Sequence, residues 1–184
     1  MLTRSKIRLL CFAILACTVG HATSAGAGPT EYQLKAAFLY NFIKFVEWPA
    51  TSQTGALTLC VLGKDPFEGE LERATNGKTV NGRPMIIRRV NDAAAAQSCQ
   101  VLFVSSSEAG RAPEVVKKVA GLSVLTVSDI DRFSDLGGII NFLMDGQKVR
   151  FHINQIAAER ASLKISSKLL QLSVAPDEKS KGPR

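Results

Sequence analysis

Hydrophobic and polar positions alternate along this chain with two periods, and the switches between them outline the elements. Thr30 and Gln33 form a capping box that opens a helix running to about Val46, where Trp48-Pro49 stops it. Leu57 to Leu62 is a short apolar run ended by Gly63, the mark of a buried strand. Asp65, Pro66 and Glu68 read as a second capping box, whose helix ends near Asn76-Gly77. Pro84 to Val90 follows as a strand, Asp92 to Gln97 as a short helix, Val101 to Val104 as a strand, Ala112 to Ala120 as a helix and Leu122 to Val127 as a strand. Strands and helices alternating at this spacing predict a largely parallel sheet covered on both faces.

The C-terminal third changes character. Ile139 to Met144 and Lys148 to Ile153 flank Asp145-Gly146, a strong hairpin signal. Ile140, Phe142, Met144, Val149, Phe151 and Ile153 fall on one face; Asn141, Lys148, Arg150 and His152 fall on the other. A helix over about Asn154 to Ala161 and a final helical turn over Ser167 to Leu172 complete the ordered part, and residues 175–184, polar with two prolines, read as a disordered tail. No repeat or linker divides residues 28–174, so a single α/β domain is expected, with a largely parallel sheet and a C-terminal antiparallel hairpin.

The first 27 residues alter what chemistry the remainder has available. Arg4, Lys6 and Arg8, the apolar run Leu9 to Val19 and Ala25-Gly26-Ala27 read as an export signal with a small-residue cleavage site. The apolar run falls short of the roughly 20 residues that span a bilayer. Ile14-Leu15-Ala16-Cys17 offers a rival, a lipoprotein box that would leave a lipidated Cys17. Removal of the signal takes Cys11, Cys17 and His21, and lowers Lys+Arg from 23 to 20 against 16 acids, so the net charge falls from +7 to +4. The basic residues are scattered, which is no nucleic-acid footprint. The even pair Cys60 and Cys99 suits a disulfide in an oxidising compartment, which would contribute about 4 kcal/mol; two buried thiols are the alternative.

Catalytic and cofactor chemistry finds little support. Asn76-Gly77-Lys78-Thr79 lacks the first glycine of a phosphate-binding loop, Glu72 standing in its place, and follows a helix where a strand is required. One histidine with two cysteines makes no usual zinc set, and no serine occupies a nucleophile elbow. These observations predict no enzyme, no cofactor and no metal. Ser105-Ser106-Ser107-Glu108 and Ser128-Asp129 follow apolar strands, where they either line a small-molecule site or cap what comes next. The first helix is rich in aromatics. Leu34, Phe38, Phe42 and Phe45 lie on one face and Tyr32, Leu39, Ile43 and Val46 on an adjoining one, so Phe38, Tyr40, Phe42 and Trp48 either meet a second layer of the domain or offer a partner helix.

The run Lys35 to Phe45 leading to Trp48-Pro49, the strand Leu57 to Gly63 bearing Cys60, Gly82-Arg83-Pro84 and Ser166 to Leu170 resemble the YfiR-like periplasmic proteins over about residues 30–173. The resemblance implies a three-layer α/β/α sandwich and a non-enzymatic dimer that binds the periplasmic sensor region of an inner-membrane diguanylate cyclase, represses it, and so lowers cyclic di-GMP signalling and biofilm formation. It implies that Cys60 and Cys99 are bridged, and that a second bridge found in some relatives near Ser134 and Asn141 is missing here. Arg160 matches a surface arginine of the family, while His152 stands where some relatives carry an acid, which makes any shared ligand different or anionic. Asn141, Arg150, His152 and Arg160 are therefore the predicted partner or ligand site. The alternative is a periplasmic small-molecule sensor coupled to a sensor kinase or a transporter.

Overall fold

The structure is a computed structural model that describes residues 28–50 and 55–175. The expected export signal, with Cys17, and nearly all of the expected disordered tail lie outside the described residues. Thr30 caps α1 (Glu31–Lys44) as expected, its Oγ1 accepting from the Gln33 amide at 3.3 Å while the Gln33 side chain accepts from the Thr30 amide at 2.9 Å. The helix stops two residues before Val46, because Val46–Glu47 becomes a two-residue strand, β1.

The main sheet has seven strands in the order β3-β4-β2-β5-β6-β7-β8. These are β2 (Leu57–Leu62), β3 (Thr79–Val80), β4 (Arg83–Val90), β5 (Val101–Val104), β6 (Leu125–Ser128), β7 (Ile140–Asp145) and β8 (Lys148–Ile153). The strands from β4 through β7 run parallel, and β3 and β8 close the two margins antiparallel. The chain enters at β2, moves outward to β4, then returns past β2 to β5, β6 and β7. This is a doubly wound order whose direction reverses between β2 and β5.

Two buried clusters cover the two faces. Leu59, Val61, Val101, Phe103, Leu125 and Val127 pack with Leu39, Phe42 and Ile43 of α1 and with Leu71 of α2 (Glu70–Thr75). Cys60, Leu62, Leu102 and Val104 pack on the opposite face with Ala93 and Ala96 of a 3₁₀ turn (Ala93–Ser98) and with Val115, Val116 and Val119 of α3 (Ala112–Val119). Such near-continuous apolar strands are what a sheet buried on both sides requires. The α/β fold with a largely parallel sheet therefore holds, together with the hairpin, in which Asn141 pairs with His152 and Phe142 with Phe151.

One start and two small strands differ from expectation. Asp65 does not open a helix. Its Oδ1 accepts from the Phe67 amide at 2.8 Å and its Oδ2 binds Arg89, while Phe67 is fully buried against Tyr32 and Phe103. Anchoring Phe67 turns the chain through left-handed conformations at Glu68 and Gly69 before α2 begins at Glu70. After the hairpin, α4 (Gln155–Arg160) is capped by Asn154, β9 (Lys164–Ile165) pairs antiparallel with β1, and α5 (Ser167–Leu172) is capped by Ser166. No helix among the described residues is long and apolar enough to cross a membrane.

Candidate functional site

The hairpin places its polar residues unevenly. Asn141 is 2% exposed, and its amide donates to the carbonyl oxygens of Ile130 at 2.9 Å, Phe142 at 3.0 Å and Ser128 at 3.3 Å. It secures the connection between β6 and β7, and neither hydrogen of its amide nitrogen is left for a partner. His152 is half-buried, with Nδ1 3.0 Å from the Val174 carbonyl oxygen. Arg150 is exposed and makes only a long contact with Asp145, at 3.7 Å. Of the aromatic residues offered for a partner, Phe42 is 0% exposed and Trp48 is buried in the same cluster, so their surfaces are consumed within the chain. Phe38 is half-buried against Phe42, Phe142 and Phe151, and half-buried Tyr40 lies beneath the Lys44 and Lys78 ammonium groups.

Arg160 stands elsewhere. It lines a cavity of about 520 Å³ at the amino ends of β6 and β7, which holds none of the three hairpin residues. Val116, Val119, Val124 and Ile139 supply apolar lining; Lys117 and Arg160 supply two exposed cations, neither ion-paired among the described residues. The Ser134 hydroxyl there is buried without a hydrogen-bond partner among the described residues. Ile156, 63% exposed, and Leu136 line the same cavity, so it opens among exposed apolar side chains. An apolar patch with a basic border is the chemistry of a contact surface. Composition alone did not single out Lys117, Leu136 or Ile156, because the three come from separate segments that meet only in the fold.

At the opposite end of the sheet the strand-end serines prove to be caps. Ser105 Oγ accepts from the Ser107 amide, and Ser128 Oγ accepts from the Ile130 amide at 3.0 Å while donating to the Val104 carbonyl at 2.6 Å. At the reversal point between β2 and β5, Ser107 and Glu108 pack closely on Gly63, beside a cavity of about 580 Å³ lined by Lys64, Phe67 and Ser105 to Ser107. A Cβ on Gly63, whose φ is +88°, would stand 2.5 Å from Ser107 Oγ and 2.7 Å from Glu108 Cγ, so glycine is required for that close packing. The residue after Ser128 behaves differently. Asp129 Oδ2 accepts from Lys35 Nζ at 2.6 Å and from the Tyr32 hydroxyl at 2.9 Å, and Glu31 completes the Lys35 ion pairing. Burial, and then the hydrogen bond to and charge of Asp129, push the Tyr32 hydroxyl well above the usual tyrosine range. Lys35 went unremarked in the sequence although it falls in register with Leu39 and Phe42, and a lysine on an apolar stripe was the available signal.

Cys60 and Cys99 form a disulfide, with Cα atoms 5.9 Å apart, that ties β2 to the segment after the Ala93–Ser98 turn. No group of three or more metal-ligating side chains occurs among the described residues.

A solved structure described as a conserved domain protein from Vibrio cholerae O1 biovar El Tor strain N16961 superposes with a TM-score of 0.51 at 11% identity. The match covers 79% of this chain and 60% of that one, and at this identity it speaks to the fold alone. The family model described as YfiR/HmsC-like matches residues 32–174, nearly all of the described domain. That family is one of regulatory, non-catalytic periplasmic proteins that act on diguanylate cyclase. That match, over residues 32–174, establishes that the chain belongs to the YfiR/HmsC-like family.

Proposed function

We propose that this protein, exported by its N-terminal signal, binds the periplasmic sensor region of an inner-membrane diguanylate cyclase and holds that enzyme inactive. Lower cyclic di-GMP and less biofilm are the consequence. The observation that carries this reading is the amino-end cavity, where Lys117 and Arg160, neither ion-paired among the described residues, border an apolar lining beside exposed Ile156 and Leu136. Apolar anchors beside unpaired cations suit a partner surface that presents carboxylates around an apolar residue. Arg150 and His152 on the hairpin are a separate candidate contact, and half-exposed Phe38 and Tyr40 are positions of α1 available to a second copy in a homodimer.

Cyclic di-GMP measured in cells that lack the gene, and in cells that carry it back as wild type or as Arg160→Glu, tests the surface. Wild type restores a low level. Arg160→Glu accumulates as folded protein yet leaves the level high; full repression by that variant would remove this surface from the account.

A further inference from the structure

The two margins of the main sheet are finished differently. At β8 the Val174 amide donates to the Phe151 carbonyl at 2.9 Å, and Ser173 Oγ accepts from the Ile153 amide at 3.0 Å, so the chain covers part of that margin itself. At β4 the covering strand among the described residues is β3, which pairs with Arg83 and Pro84 and goes no further. Residues 85–90 continue beside β2 in unbroken register. The Gly63 amide donates to the Val90 carbonyl at 3.2 Å, which turns Val90 toward β2. Alternate residues of a parallel strand face the same neighbour, so Ile86 and Arg88 also face β2. Met85, Ile87 and Arg89 then present their amide and carbonyl groups outward, with no strand beside them among the described residues. A cavity of about 540 Å³ adjoins Pro84, Met85 and Ile87 along this margin.

Sheet margins are usually guarded by brevity, proline, a bulge or charge. Those guards are weak here. β4 is eight residues long, its register with β2 contains no bulge, and Pro84 lies in the stretch that β3 covers. The Arg89 guanidinium is folded onto Asp65 and Glu72 of its own domain. Met85, Ile86 and Ile87 make an apolar run on the open stretch, and Ile86 is 45% exposed. Arg88 alone is left to keep another strand away.

We infer that β4 pairs antiparallel with β4 of a second copy, joining two seven-stranded sheets into one. Outward amides and carbonyls are satisfied by a strand, and pairing the same margin of both copies gives a closed, isologous dimer. A twofold axis at Ile87 matches Ile87 with itself and Met85 with Arg89 of the second copy, so every outward residue of the open stretch is hydrogen-bonded. Ile86 then lies across from Arg88 of the second copy, and no like charges meet. Moving the axis to Arg88 sets that charge against itself; moving it to Ile86 sends Arg89 toward Arg83, whose margin β3 already occupies. This inference rests on the homodimer of the reading above and places its contact on β4 instead of α1; it does not depend on cyclase repression.

Sedimentation equilibrium on the mature protein tests it. Wild type is a dimer. Ile86→Lys, at an exposed position, sets a lysine opposite Arg88 of the second copy and weakens association more than about tenfold. Ile86→Lys/Arg88→Glu sets opposite charges across the same pair and restores the dimer, which a variant that merely failed to fold would not do. A monomeric wild type at micromolar concentration overturns the homodimer and this contact together. Association undiminished in Ile86→Lys, or not restored in the double variant, overturns the contact on β4 alone.

Discussion

The two ends of the sheet handle charge in opposite ways. At the carboxyl end, Lys35 and Asp129 are drawn into the protein, where Tyr32 and Glu31 surround the pair. At the amino end, Lys117 and Arg160 remain exposed over an apolar lining with no ion pair among the described residues. Buried charges must be satisfied within the chain, so substitution there is felt first as lost stability. Exposed charges contribute little to stability, so the fold does not require them, and the proposed contact with a partner can use them. One end is thus built into the fold, and the other is displayed by it.

Lys35→Met breaks this contrast most severely. Removing the ammonium leaves Asp129 buried and charged, and unfolding measurements should show a loss of about 3–5 kcal/mol. The double variant Lys35→Met/Asp129→Leu, which removes both charges, should regain most of that loss. A double variant as unstable as the single one would mean that side-chain shape, and not charge, governs the carboxyl end.

Alkaline pH gives a smaller, directional test. The folded state raises the Tyr32 pKa, so the neutral hydroxyl's contribution is complete below the ordinary tyrosine value of about 10 and is lost as pH rises through the folded value. Wild type should therefore lose stability above pH ~10 more steeply than Tyr32→Phe. Identical alkaline limbs would separate Tyr32 from the Asp129 network.

Acid tests a third place. The hydrogen bond from Arg89, followed by its charge, holds the Glu72 carboxyl below the usual glutamate range, and Arg89 also grips Asp65. That contribution is present above pH ~4.3 and fades as pH falls through the folded value, so Arg89→Gln should flatten the acid limb of a stability profile. The smallest effect belongs to the amino end: Arg160→Ala should leave stability within about 0.5 kcal/mol of wild type. A larger loss there would make Arg160 part of the fold and erase the contrast.

Local signals explain which of these features were legible beforehand. The Thr30 capping box, the run Leu57–Leu62 and the hairpin signal at Asp145-Gly146 each lie within a few residues of the element they specify, and each was readable, although the turn itself is Gly146-Gln147, with Asp145 paired to Lys148. β1 and β9 were not, since two residues carry no period and their pairing joins Val46 to Ile165. The capping box at Asp65 misled because tertiary contacts outweighed it: Phe67 enters the core, and Arg89, from another strand, takes the carboxylate. Asn141 looked available by strand alternation, yet its face is covered by the loop carrying Ile130. The Lys35–Asp129 pair spans 94 residues, and Arg160 meets Lys117 only through folding, so neither end of the sheet could be assembled from spacing.

The most direct test of the display is to titrate purified mature protein into spheroplast membranes and follow their diguanylate cyclase activity. Wild type and Arg88→Glu, a matched charge reversal on exposed β4, should lower the activity, and Arg160→Glu should not. Equal inhibition by Arg160→Glu, or none by wild type, would contradict the assignment of the amino end as the contact that silences the cyclase.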